Sequence, residues 1–273
     1  MDSQPNLEVL AQFGVQPGPL QRIDGGQGRA WVAGDVVLKP VGDVAEAEWV
    51  GAVLLGLPER GFRLGRPVRS RAGSWTFAGW SAWSRVDGRH DVSTRWGDVL
   101  AAGVALHDAL REVPRPDFLD ARSNIWVDGE RAAWDDEAPH VVHPSLAPLV
   151  EELAALRTPH RAPEQIVHGD LTGNVLFAEA LAPAIIDFTP YWRPVGFASA
   201  VVVADAIAWY GAPSALTDAL SDDDEPRSML ARAGLFRLIT SDRAALGQGD
   251  NASAYLEANL AAHSRILAAI RAM

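Results

Sequence analysis

The sequence contains no cysteine. That absence removes disulfides, thiolate nucleophiles and thiolate metal sites together. Carboxylates, histidines and amides remain as ligands, so any metal is expected to be a hard one. Lysine is almost as scarce, and after Lys39 none follows. With 24 Lys and Arg against 35 Asp and Glu the formal net charge is −11, and the clustered cationic footprint that a phosphate backbone requires is missing. Nucleic acid is therefore not an expected partner. No apolar run approaches the roughly 18 residues of a membrane span. The N-terminal MDSQPNLEVL has no basic segment ahead of an apolar one, so no membrane association is expected and the chain reads as cytoplasmic.

What is present is an ordinary globular composition, 48% hydrophobic and 22% charged over 273 residues, enough for one large domain or two lobes with sizeable cores. Two lobes are expected, a β-rich one over residues 1–85 and a helical one over 86–273. In the first, LQRIDGGQGRAWVAGDVVLKPV reads as a hairpin. Its glycine-rich loop contains Gly25, Gly26, Gln27 and Gly28, a turn falls at Gly34 and Asp35, and a strand ends at Lys39. Residues 44–57 carry Val50, Val53, Leu54 and Leu57 at helical spacing. RPVRSRAGSWTFAGWSAWSRV reads as two further strands joined near Ala72 and Gly73. From Thr94 onward helical periodicity dominates, interrupted by short apolar runs around 164–187.

Those runs frame VHGDLTGNVLF, residues 167–177. The carboxylate of Asp170 on such a loop can accept or orient a hydroxyl proton, and the amide oxygen of Asn174 can hold a divalent cation. The runs Val175–Phe177 and Ala184–Ile186 fit a short hairpin that returns Asp187, in PAIIDFTPYW, beside this loop. Mg²⁺ suits such oxygen donors. Upstream, the backbone of Gly25–Gly28 can approach phosphates and Lys39 can meet them as a point charge. In chain order these are the parts of a phosphoryl-transfer site.

HGDLTGN, followed by IIDF with its aspartate thirteen residues after the asparagine, and preceded by GGQG and VVLKP, resembles the aminoglycoside phosphotransferase and choline kinase-like group of the protein-kinase-like fold. The resemblance spans roughly residues 20–210. It implies a two-lobed α+β kinase that transfers the γ-phosphate of ATP or GTP to a hydroxyl of a small molecule, often an antibiotic. It also implies Asp170 as catalytic base, Asn174 and Asp187 as Mg²⁺ ligands, Lys39 as the phosphate-binding lysine and His168 as a structural histidine. Within the group, the alanine- and tryptophan-rich composition points to actinobacterial phosphotransferases that inactivate nucleoside antibiotics such as capuramycin.

The helix after Lys39 should supply a glutamate to pair with that lysine. Glu46 shares a face with Val50, Val53 and Leu57, while Glu48 lies about 200° away around the axis, so Glu46 is the expected partner. One departure from the kinase pattern stands out, three residues between Asp170 and Asn174 where kinases have four. The chain must tighten there, and Gly173 supplies the conformational freedom. The short loop motivates a rival reading as a nucleotide-binding pseudokinase. A second rival is a metal-dependent hydrolase with His168, Asp170 and Asp187 all as ligands. His107 reads as a packed or capping residue. Of ten tryptophans, Trp80, Trp83, Trp126, Trp134 and Trp192 lie in segments near the expected junction. Trp192, with Arg193 beside it, is the expected acceptor contact. The scarcity of lysine points to a neutral or cationic acceptor rather than a polyanion.

Overall fold

The computed structural model describes residues 4–23, 30–91, 93–135, 139–222 and 225–273. The glycine-rich loop, with Gly25, Gly26, Gln27 and Gly28, lies outside the described residues. The first half contains α1 (Leu7–Gln12), β1 (Gln21–Arg22), β2 (Trp31–Ala33), β3 (Val36–Pro40), α2 (Val44–Gly56), β4 (Arg63–Leu64), β5 (Pro67–Val68), β6 (Thr76–Phe77), β7 (Trp80–Ser84) and β8 (Arg89–His90). Then follow α3 (Trp96–Leu110), α4 (Phe118–Ala121), α5 (Ile125–Trp134), α6 (Ala147–Ala155), β9 (Gln165–His168), β10 (Val175–Phe177), β11 (Ala184–Ile185), β12 (Pro190–Arg193), α7 (Val195–Trp209), α8 (Pro226–Ala245) and α9 (Ala252–Ala272).

The expected hairpin at Gly34 forms, with Val32 opposite Val37 and Ala33 opposite Val36. β3 continues into the sheet against β7, where Lys39 sits opposite Ser81. The order β1-β2-β3-β7-β5, with β6 attached to β7, makes an antiparallel sheet. Its apolar face, from Leu38, Trp80 and Ala82, is covered by Val9, Leu10 and Phe13 of α1 and the turn after it. The segment expected to form two strands forms three, because Ala78 and Gly79 add a second tight turn with φ of 47° and 80°.

The β-rich and helical parts are joined by more than one chain crossing. β4 and β8 lie outside the first sheet and flank the β10–β11 hairpin in the order β4-β11-β10-β8. The hairpin has the expected pairing, Val175 opposite Ile185 and Leu176 opposite Ala184.

In the helical part α8 is the central element, packed against α5, α6, α7 and α9. Leu230, Leu235, Phe236, Leu238 and Ile239 of α8 have at most 1% of their surface exposed. The sequence reading left α5 unassigned. Its N-cap is Asn124, whose side chain accepts from the amides of Trp126 and Val127, each at 3.0 Å. Gly129 lets α5 lie directly on α8, since a Cβ there would sit 2.5 Å from the Phe236 carbonyl oxygen and 2.3 Å from Thr240 Oγ1. Backbone cannot step aside cheaply. We therefore predict that Gly129→Ala lowers unfolding stability by about 1–3 kcal/mol. Gly97→Ala, where nothing lies within 4 Å of the added carbon, should be neutral or stabilising by up to about 1 kcal/mol. Chemical denaturation of both variants checks this, and equal midpoints would contradict the close α5–α8 packing.

Candidate active site

A cleft of about 1530 Å³ opens between the first sheet with α2 and the floor formed by the loops after β9 and β11. Lys39, Glu46, Arg122, Asp170, Asn174 and Asp187 all line it. Lys39 reaches it from β3 and its ammonium meets the Asp187 carboxylate. Burial pushes the lysine down to about 8, because a desolvated ammonium favours its neutral form.

The floor is fixed by His168, none of whose surface is exposed. Its amide donates to His107 Nε2 at 3.0 Å, which gives the expected packed histidine at 107 a definite task. His168 Nδ1 accepts from the amides of Asp170 at 3.2 Å and Thr189 at 3.4 Å. The opposite nitrogen, Nε2, therefore carries the proton and donates to the Ile186 carbonyl at 3.3 Å. Burial holds the imidazole down to about 4, so the accepting lone pair persists at neutral pH. With both ring nitrogens bonded to main chain, His168 has none left for a metal. The hydrolase reading is corrected on that ground. Among the described residues, moreover, no three His, Asp or Glu side chains group around a metal position.

The short loop tightens where the sequence suggested. Gly173 takes φ of 77°, Asn174 N donates to Leu171 O at 2.9 Å, and Asn174 Nδ2 donates to Asp170 O at 2.7 Å. That last bond commits the amide nitrogen and leaves Asn174 Oδ1 as the available ligand atom. The Ile186 amide donates to Asn174 O at 3.0 Å, tying the Asp187 strand to the loop. Asp187 itself has φ of 53°. A non-glycine residue in the left-handed region carries strain of the kind that collects at functional sites. Two hard oxygen donors lining one cleft from separate loops suit Mg²⁺, which takes few protein ligands and leaves the rest of its shell to phosphates and water.

The Asp170 carboxylate is held from the side by a buried cation. Arg237 Nη2 on α8 donates to Asp170 Oδ1 at 2.8 Å. The same guanidinium meets Asp205 of α7 at two points, Nε to Oδ1 at 2.8 Å and Nη2 to Oδ2 at 2.6 Å. Burial raises the Asp205 carboxyl against the pull of Arg237. Burial also works against the Arg237 charge, but the two carboxylates outweigh it and hold the guanidinium above its ordinary value. The sequence reading found neither residue, although a charged residue inside an otherwise apolar helix such as VGFASAVVVADAIAW is itself a signal.

Two further expectations are corrected. Of the two glutamates weighed, Glu46 lines the cleft while Glu48 accepts the amides of Trp75 and Thr76 at 3.0 and 2.8 Å, away from the site. The expected Lys39–Glu46 pair, however, is not formed. Lys39 is taken by Asp187. Glu46, in the first turn of α2 after its N-cap Asp43, faces Arg122 at 3.5 Å. Arg122 in turn donates to the Pro190 carbonyl at 3.0 Å and lies over the Tyr191 ring at 4.7 Å. Burial raises Glu46 against the pull of this arginine.

Trp192 and Arg193 do not line the cleft. β12 turns back along β9, with Trp192 opposite Ile166 and Arg193 opposite Gln165, and this carries both away from Asp187. Arg193 is engaged by Glu130 and by Glu164 at 3.2 Å and lies over Trp134 at 4.7 Å. Trp192 packs against the core. Aromatic residues that line the cleft are Phe188 and Tyr210 from the later chain and Trp83 from the sheet side.

The model of the Phosphotransferase enzyme family matches residues 21–191, a stretch that contains Lys39, Glu46, Asp170, Asn174 and Asp187. No curated protein matches the sequence. Among solved structures, a thermostable mutant of aminoglycoside phosphotransferase APH(4)-Ia aligns with a TM-score of 0.60 at 17% identity over 97% of both chains. Spectinomycin phosphotransferase APH(9)-Ia, in complex with ADP and spectinomycin, aligns at 0.61 and 14% over 97% of this chain and 96% of that one. A choline/ethanolamine kinase family protein from Mesorhizobium loti aligns at 0.55 and 17% over 97% and 99%. At such identities the likeness is one of fold, and the fold is the two-part, protein-kinase-like one of these enzymes. The family match covers more than half the chain and takes in the cleft-lining lysine, carboxylates and amide: the chain belongs to the Phosphotransferase enzyme family.

Proposed function

We propose that this protein is a small-molecule kinase that transfers the γ-phosphate of ATP or GTP to a hydroxyl of an antibiotic or related sugar-containing natural product, inactivating it. The observation that carries this reading is the convergence of Lys39 and Asp187 with Asp170 and Asn174 on one cleft. The neighbours support it, one in complex with ADP and spectinomycin and another with AMP-PNP and hygromycin B. Residues 1–85 and 86–273 serve as two lobes around the nucleotide, and the cytoplasm, where nucleoside triphosphates are abundant, is the assigned compartment.

In this reading Lys39 exchanges Asp187 for phosphate oxygens, which its compact ammonium can do without a fixed planar geometry. Asn174 Oδ1 and the Asp187 carboxylate would hold Mg²⁺, which when bound would neutralise phosphate charge. Asp170 receives the acceptor O–H. As the acceptor oxygen bonds to the γ-phosphorus and the bond to the nucleoside diphosphate breaks, the hydroxyl proton passes to the Asp170 carboxylate. The acceptor class follows from charge. Arg122, which lines the cleft, already faces Glu46, and Arg237 beside Asp170 already faces Asp205 and Asp170. A strongly anionic acceptor would need a cationic clamp of its own, so the acceptor is neutral or cationic, with Tyr210 as the aromatic wall on its side.

Asp170→Asn is expected to fold, bind nucleotide as the parent does, and lose about 10²-fold or more in turnover; undiminished transfer in this variant would remove the base assignment. Asp187→Ala is expected to abolish the Mg²⁺-dependent part of nucleotide affinity, with Asn174→Ala weakening it less because the carboxylate carries the full charge. Titration calorimetry with and without Mg²⁺ decides, and a parent indifferent to Mg²⁺ would contradict the metal site. Competition among neutral glycosides, nucleoside antibiotics, aminoglycosides and sugar phosphates, with products identified by mass, tests the acceptor class. A sugar phosphate with the highest kcat/KM would overturn the charge argument.

A further inference from the structure

Asp170 is anchored through its main chain at two points, its amide to His168 Nδ1 and its carbonyl to Asn174 Nδ2. Neither bond sets the torsion of the side chain, which is 42% exposed to the cleft. The group that touches the carboxylate comes from 67 residues away, Arg237 Nη2 on Oδ1. We infer that Arg237, itself fixed by Asp205, is the positioning residue of the catalytic base. It occupies Oδ1 and so turns the second carboxylate oxygen toward the acceptor hydroxyl. The inference rests on the proposed role of Asp170 as base.

Three features of the arrangement support a positioning device over a stabilising one. The first is hydrogen-bond accounting. A guanidinium Nη carries two hydrogens, and Nη2 uses its contacts on both Asp205 Oδ2 and Asp170 Oδ1 while Nε holds Asp205 Oδ1. Two contacts to Asp205 fix the guanidinium plane, so the hydrogen aimed at Asp170 has a defined direction. A lysine at this place would supply charge without that direction.

The second feature is charge. Arg237 alone would neutralise Asp170. With Asp205 included, two carboxylates and one guanidinium sum to the charge of a single carboxylate, so the base retains a full negative charge while being held. The third is context. Arg237 is 7% exposed and its helical neighbours Leu235, Phe236 and Leu238 are fully buried apolar residues. A buried ion pair gains little stability over apolar packing of similar volume. At this site, though, the arginine extends from a rigid, centrally packed helix to the one side chain of the loop that chemistry requires in a set orientation. The loop is one residue shorter than the kinase pattern, which makes an external hold on the carboxylate the more necessary.

The test is a set of variants assayed with MgATP, both for hydrolysis in water and for transfer to the acceptor that the competition identifies. Arg237→Lys keeps the charge but cannot span both carboxylates. The double variant Asp205→Asn with Arg237→Met removes both buried charges together and keeps side-chain volume, so it remains informative if single replacement of the arginine prevents folding. Both are expected to lower kcat roughly tenfold or more, as misplacement of a catalytic group does, with KM for MgATP and calorimetric ADP affinity within about twofold of the parent. In an Asp170→Asn background the same substitutions should change kcat by no more than about twofold, since nothing remains to position. A folded double variant with parental kcat would overturn the inference. An equal loss of kcat with and without the Asp170 carboxylate would overturn it too, because the effect would then run through packing. If Asp170→Asn itself leaves turnover intact, the base assignment fails and the positioning role with it. If Asp170→Asn is impaired and the Arg237 variants are not, the positioning role alone fails.

Discussion

His168 bonds main chain through both ring nitrogens, receiving the Asp170 amide at Nδ1 and donating from Nε2 to the Ile186 carbonyl. A protonated ring would turn Nδ1 from acceptor into donor and set it against the Asp170 N–H. Complete burial prevents this by holding the imidazole neutral down to about 4. The Asp170 loop and the segment before Asp187 are thereby bridged by one flat, rigid side chain, alongside the main-chain bond from Ile186 N to Asn174 O. His107, buried behind it and held down to about 3 by burial and the neighbouring His168, accepts the His168 amide. The floor of the cleft is thus laid from α3 forward through β9.

On that floor the upper part of the cleft is held by paired charges and shared strands. Lys39 with Asp187, and Glu46 with Arg122, are both contacts between the first sheet region and the later chain. The Lys39–Asp187 pair is partly solvated, so it contributes modestly and can be exchanged, whereas Arg122 is buried. The pairings of β4 with β11 and β8 with β10 are different in kind. They put β4 from the β-rich part and β8 from just after it into one sheet with the hairpin that precedes Asp187, and backbone ladders of that sort do not exchange with solvent or ligand. The Lys39–Asp187 contact can therefore yield to a nucleotide while the hairpin stays in register.

The features legible in the sequence are those fixed by local chemistry. The Gly34 turn, the α2 periodicity, the tightening at Gly173 and the β10–β11 hairpin follow from residues within a dozen positions of one another, and that hairpin in turn returns Asp187 to the Asp170 loop. What escaped depends on distant partners. Helical phase gave the face of Glu46 but not Arg122, 76 residues away. Sequence nearness to Asp187 suggested Trp192 and Arg193 for the site, and antiparallel pairing with β9 carried them off. α5 was obscured because IWVDGERAAW places glycine and glutamate on its inner face. Those positions make sense only once Gly129 meets the α8 backbone and Glu130 meets Arg193.

Of 24 basic residues one is lysine, at position 39, and the rest are arginine. The two kinds of cation have different work in the cleft. Arg237 presents a planar fork to two carboxylates, and its use depends on that plane being fixed. Such a group is suited to orienting a neighbour and poorly suited to changing partners. Lys39 presents a compact charge with three rotatable hydrogens, lowered to about 8 by burial, so that its ammonium is less firmly protonated than an exposed one. It can leave Asp187 for a phosphate oxygen without any plane to realign, whereas an arginine at 39 would need two matched acceptors in both states. In the proposed kinase reading, in which one carboxylate is held still while a polyphosphate enters, a cation of each type has a use, and the described residues place the fork under Asp170 and the point charge beside Asp187.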